Sequence, residues 1–141
     1  MDDNVILRVG AKVLIPFILL FALYVQFHGD YGPGGGFQAG VIFAAAFILY
    51  ALVYGLDNAA RVLPPRISYA CAALGVILFA GVGYVTMALG GNFLGYGVLA
   101  HDPEHGQHYG ILLVEFGVLT TVFGVMTGLF HAFADRPRPR P

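Results

Sequence analysis

Glu115 is the only formally charged residue between Glu104 and Asp135, and it stands in a run that is otherwise almost entirely apolar. A carboxylate at the centre of a bilayer costs about 2.5 to 3.5 kcal/mol to insert, so one that is kept marks a functional position by default. Two roles fit it. The carboxylate could hand on a proton or a cation, or it could act structurally, capping a neighbour's backbone or pairing with a partner's Lys or Arg. His108 precedes it by seven residues, two helical turns or about 10 Å. An imidazole at the mouth of such a route suits proton hand-off to a deeper carboxylate. The second chemically distinctive string is Pro33, Gly34, Gly35, Gly36, Phe37, Gln38, Ala39 and Gly40. Its bare amides could face an anion or a close-packed backbone. No Gly-Lys-Ser/Thr follows, so a nucleotide-phosphate loop is unsupported, and a packing role for Pro33, Gly34, Gly35, Gly36, Phe37 and Gly40 is preferred because adjacent glycines remove colliding side chains.

His101, His105 and His108 could be imagined as metal ligands, but Pro103 and Gly106 are expected to interrupt any helix that would align them, and no metal site is expected. His28 and His131 lie near span ends, so no intramembrane histidine pair is available for haem. No cofactor is expected. Cys71 is the single cysteine and reads as a small buried hydrophobe.

These groups need a scaffold, and the scaffold is apolar. Of 141 residues, 58% are hydrophobic and only 11% charged, far below the roughly 25% charged of soluble domains. The expectation is one all-α integral membrane domain, residues 1–141, with transmembrane helices at about 5–27, 37–56, 67–89 and 110–133. A span needs about 20 residues, which leaves little chain for a separate catalytic domain. Arg8 and Lys12 accompany the first stretch, Arg61 and Arg66 lie between the second and third, and Arg136, Arg138 and Arg140 follow the fourth. The other two loops carry no Lys or Arg. By the positive-inside rule both termini are cytoplasmic. Residues 134–141 alternate Arg with Pro and are expected to form a flexible cytoplasmic tail able to touch anionic lipid. The net charge of -1 and scattered cations exclude nucleic acid as a partner. A basic flank and an apolar run open the chain, but no small-residue cleavage site follows Phe27, so a first span is preferred to a signal peptide.

Twenty glycines suggest close helix packing. Gly36, Gly40 and Ala44 form one small-xxx-small series, and Gly124 and Gly128 another. In the fourth span Leu119, Val122 and Met126 share the face of Glu115, while Gly117, Thr121, Gly124 and Gly128 lie opposite. The glycine face is expected to meet its own bundle or a neighbour, and the Glu115 face a second protein that shields the carboxylate. Residues 92–99 are apolar enough to lie at the interface or dip back against the helices.

The string from His28 to Gly40, together with His108 to Val118 and the four-span layout, resembles the MnhB family of small subunits of Mrp-type multisubunit sodium/proton antiporters. The chain departs from that pattern at Asp30, where many members carry a second His. The resemblance implies a non-enzymatic component of a hetero-oligomer in a prokaryotic inner membrane, working beside large antiporter-like subunits and other small membrane subunits, with Na+ and H+ as the transported ions. It also implies that Pro33 to Phe37 and Glu115 are the family's motif positions. Related subunits occur in respiratory and hydrogenase assemblies, which stay open as alternatives. So do a structural or assembly role without ion contact and a self-contained small exporter dimerised around Glu115.

Overall fold

The computed structural model describes residues 4–135. Four helices are long and apolar enough to cross a membrane: α1 (Val5–His28), α2 (Gly36–Tyr54), α4 (Pro65–Ala88) and α5 (Pro103–Ala134). Between α2 and α4 lies the short α3 (Leu56–Val62), and before α5 a single 3-10 turn (Tyr96–Leu99). No strand occurs among the described residues. Arg136, Arg138, Arg140 and nearly all of the expected tail fall outside them.

The helices pack in the order α1, α2, α5, α4, so that α5 lies between α2 and α4 while α1 leans mainly on α2. The interior is made of small residues. Ala22, Ala39, Ala44 and Ala59 are fully buried, and Ser68, Thr86 and Thr127 are the polar counterparts. Large side chains point outward: Ile6 is 90% exposed and Tyr84 68%. This inverts the soluble pattern, as it should where hydrocarbon replaces water and helix attraction comes from close backbone approach.

On one side of α5, Gly117 backs onto Gly75 and Phe79, and Gly124 onto Ser68 and Ala72. Thr127 donates to Ser68 Oγ at 3.0 Å beside them. On the other side, Gly36 meets the Glu115 backbone and Gly40 meets the Leu119 carbonyl and Val122. The sequence predicts a foreign protein against the Glu115 face; that face packs instead against α2 of its own chain. The glycine series on α2 makes the approach possible.

Two boundaries differ from the sequence reading. α5 starts at Pro103 rather than about 110, and Pro103 and Gly106 do not break it. Asp102 accepts from the Glu104 N–H at 3.2 Å, and Pro103 fills a first position where a missing N–H costs nothing. Gly106 lies against the carbonyls of Tyr96 and Gly97, at 2.6 and 3.2 Å from where its Cβ would stand, and Gly110 lies under the Tyr96 ring. The 3-10 turn thus clamps the first two turns of α5. At 32 residues this helix is about 48 Å long, so it outruns a hydrocarbon layer of about 30 Å. The second difference is α3, in a stretch that reads as a plain connection. Gly55 turns the chain at φ +93°, and Asn58 Nδ2 donates to the Tyr54 carbonyl at 2.8 Å.

Residues 89–95 fold back onto the bundle through Thr86. Its hydroxyl donates to the carbonyls of Gly83 and Asn92 at 2.8 and 3.0 Å and accepts from the Leu94 N–H at 3.1 Å. The Phe93 ring rests on Gly83.

Candidate functional site

α1 ends at His28, and the chain reverses through a tight turn in which the His28 carbonyl accepts from the N–H groups of Tyr31 and Gly32 at 3.0 and 3.1 Å. Gly35 then donates back to the Val25 carbonyl at 3.2 Å, which pulls the turn down onto α1. Gly35 has φ +118° and ψ -177°, a conformation that an L side chain adopts only under strain. It caps α2, whose first amides are left without helical partners.

Into this turn comes Glu115. A Cβ at Gly29 would stand 2.7 and 3.0 Å from the two carboxylate oxygens, and one at Gly35 would stand 2.9 Å from Oε1. A Cβ at Gly36 would overlap the Glu115 carbonyl. Gly29 and Gly35 therefore form a cup that a side chain at either would fill, and Gly36 lets the Glu115 backbone come close enough to reach it. The Glu115 side chain is half-buried, with no hydrogen bond or ion pair among the described residues. Gln38 Oε1 is also close, 3.7 Å from the Cβ position of Gly35.

Above the cup stands a close imidazole–carboxylate contact. His108 Nδ1 lies 2.7 Å from Asp30 Oδ2, with the Asp30 side chain only 13% exposed and that of His108 49%. Asp30 is near enough to act electrostatically on Glu115. His108 and Glu115 share a helical face at a spacing of two turns, and Asp30 reaches His108 from the turn. The site is thus an acid, an imidazole and a deeper acid, arranged from the bundle end inward. Such a set can exchange a proton or draw in a small cation; it holds no nucleophile activated by a base, and nothing in it forms a covalent intermediate.

In the sequence the glycine string and Glu115 read as separate motifs, and the structure brings them together. Pro33 and Phe37 are not in the cup: Pro33 is exposed in the turn, and Phe37 turns outward, 61% exposed. Gly34 packs on the Val25 carbonyl. Asp30 stands out in the sequence only as a departure from a family pattern, yet it is the partner of His108. Its signal is being the one acid in the glycine-rich turn. His105 pairs instead with Asp102, at 3.0 Å, and His101 joins neither. Among the described residues no group of three His, Cys, Asp or Glu converges as a metal site would need.

A family model described as a domain related to the MnhB subunit of the Na+/H+ antiporter matches residues 6–128. The chain belongs to the MnhB family. That match includes the whole cup, the Asp30–His108 pair and all but the last turns of α5. Among curated relatives, one from Staphylococcus aureus (strain Newman), named "Putative antiporter subunit mnhB2", is 40% identical over 63 residues, 45% of each chain. One of the same name from Staphylococcus haemolyticus (strain JCSC1435) is 34% identical over 93 residues, 66% of this chain and 65% of the relative. The chain thus aligns with about half to two thirds of the length of these relatives. With four spans and bacterial relatives, this MnhB-family chain is a multi-pass protein of a bacterial cell membrane, of a transporter family rather than a catalytic one.

Proposed function

We propose that the chain is a small subunit of a multisubunit Na+/H+ antiporter and that Asp30, His108 and Glu115 form a proton or cation entry at its outer end, where a neighbouring subunit takes over the ion. The observation that carries this reading is the seating of the Glu115 carboxylate in a glycine cup beneath the Asp30–His108 pair. A carboxylate placed only for packing needs no titratable pair above it. The cup shields the carboxylate on one side, and its half-exposed remainder offers the ion a way in or a partner a surface.

The orientation follows from charge. Arg8, Lys12, Arg61 and Arg66 gather at the end of the bundle opposite the cup, so that end is cytoplasmic and the cup faces outward. The other small and large subunits of the complex then supply the rest of the path. Pro33 and Phe37, which leave the seam, are positions where such a neighbour or lipid would rest.

A second reading has its own support. The cup is built at the N-terminus of α2, where helix polarity favours an anion, so Glu115 could serve only to hold α5 against the turn. The test is Glu115→Gln in inverted vesicles, with exchange and complex abundance measured together. The entry reading expects exchange to fall at least tenfold with abundance unchanged. The structural reading expects lower abundance and proportionate exchange. Wild-type exchange at wild-type abundance would defeat both.

A further inference from the structure

We propose that a groove between α1 and α2, at the basic end of the bundle, binds one anionic phospholipid, with its phosphate at Lys12 and one acyl chain running inward past Ile15, Leu19 and Phe43. This site is on the other end of the molecule from Glu115 and does not depend on the role given to it.

Two clefts make the groove. The outer, about 350 Å³, is lined by Lys12, Ile15, Pro16, Tyr50 and Tyr54. The inner, about 280 Å³, is walled by residues that include Ile15, Leu19, Phe43, Phe47, Tyr50 and Phe123. Ile15 and Tyr50 line both, so the two clefts adjoin. Their volumes are near the lower end of the roughly 300–1,000 Å³ typical of ligand sites.

Polarity is confined to the mouth. Lys12 is exposed and has no ion-pair partner among the described residues. It lies seven residues into α1, about 10 Å along the helix, deep enough that its ammonium must reach back toward the surface. Tyr54 is already committed, donating to the Arg8 carbonyl at 2.8 Å. Tyr50 stacks on Tyr54 with ring centroids 4.8 Å apart, and its hydroxyl has no hydrogen bond among the described residues. Pro16 lies within α1 and has no N–H, so the Lys12 carbonyl lacks its usual donor four residues on. The mouth therefore presents a cation and a phenol suited to a phosphate. A phosphate at the bilayer surface would meet both.

The inner groove favours lipid over an extended polypeptide segment. Its walls are aliphatic and aromatic, with nothing to satisfy the backbone of an inserted extended peptide. An acyl chain is narrow and needs no polar partner, and the Lys12 ammonium at the mouth gives the headgroup its sign.

The test is native mass spectrometry of the full chain purified in mild detergent, given equal amounts of phosphatidylglycerol and phosphatidylcholine with identical acyl chains. One phosphatidylglycerol per chain is expected to persist. Lys12→Gln should lower the ratio of retained anionic to zwitterionic lipid about fivefold, the effect of one surface cation, while Lys12→Arg keeps it. Leu19→Trp should fill the slot and reduce retention of both lipids, with circular dichroism confirming intact helices in each variant. Equal retention of the two lipids by the wild type, or an unchanged ratio in Lys12→Gln, would overturn the proposal. So would a photo-crosslinker placed at Leu19 that labels polypeptide rather than lipid in the assembled complex.

Discussion

Gly36→Ala should break the seam on which the cup depends. An added Cβ would overlap the Glu115 carbonyl oxygen and stand 2.9 Å from its carbon and 3.1 Å from its Cα. Ordinary van der Waals contact begins near 3.4 Å, and all three obstacles are backbone atoms of a 32-residue helix. No rotamer change relieves them. One turn on, Gly40 already sits against the Leu119 carbonyl and Val122, so α2 cannot tilt away from the clash without opening a gap. Overpacking costs about 1–3 kcal/mol; the backbone obstacle puts this case at roughly 2–3 kcal/mol, with little helix-propensity gain at a first helical position. A loss of about 2 kcal/mol lowers the folding equilibrium about thirtyfold. Reversible unfolding in mixed micelles, followed by circular dichroism, reads it directly. The controls are Gly10→Ala and Gly81→Ala, helical glycines with nothing within 4 Å of the added Cβ, which should be neutral or up to about 1 kcal/mol more stable. A Gly36→Ala chain as stable as the wild type, or controls that fall with it, would refute the close-approach reasoning.

Thr86→Val should free residues 89–95, because the Leu94 N–H and the Asn92 carbonyl lose their shared partner; about 1–3 kcal/mol is expected, read as faster amide hydrogen exchange in that segment alone. Gly75→Ala should loosen α4 from α5, since its Cβ would meet Thr121 and the Gly117 backbone; the cost is again about 1–3 kcal/mol, measured in the same micelles. Asp30→Asn should leave the fold nearly unchanged, because a pair with His108 half exposed is worth roughly 1 kcal/mol or less, yet exchange in vesicles should drop at constant abundance and Asp30→Glu should restore part of it.

The spans are legible because run length and the absence of charge are local properties. The α2–α5 and α4–α5 seams are half legible: the intervals Gly36, Gly40, Ala44 and Gly124, Gly128 announce close packing, but not against which helix. The start of α5 is misplaced when Pro103 and Gly106 are read as breakers. Asp102, Pro103 and Glu104 are a cap, a first-position proline and a first-turn acid, which together signal a beginning. The cup itself cannot be seen from spacing. Gly29 and Gly35 meet Glu115 across some eighty residues of intervening chain, and a contact at that separation is set by how helices dock rather than by any local preference.

The most direct measurement of a working carboxylate at Glu115 is carbodiimide labelling, which captures a carboxyl in its protonated form. In membranes holding the assembled complex, mass spectrometry of the α5 peptide is expected to find Glu115 modified, more so as external pH falls, with exchange lost in step and Glu115→Gln insensitive. A Glu115 that is unlabelled at every pH, or labelled fully while exchange continues unchanged, would contradict a proton or cation entry built on the cup.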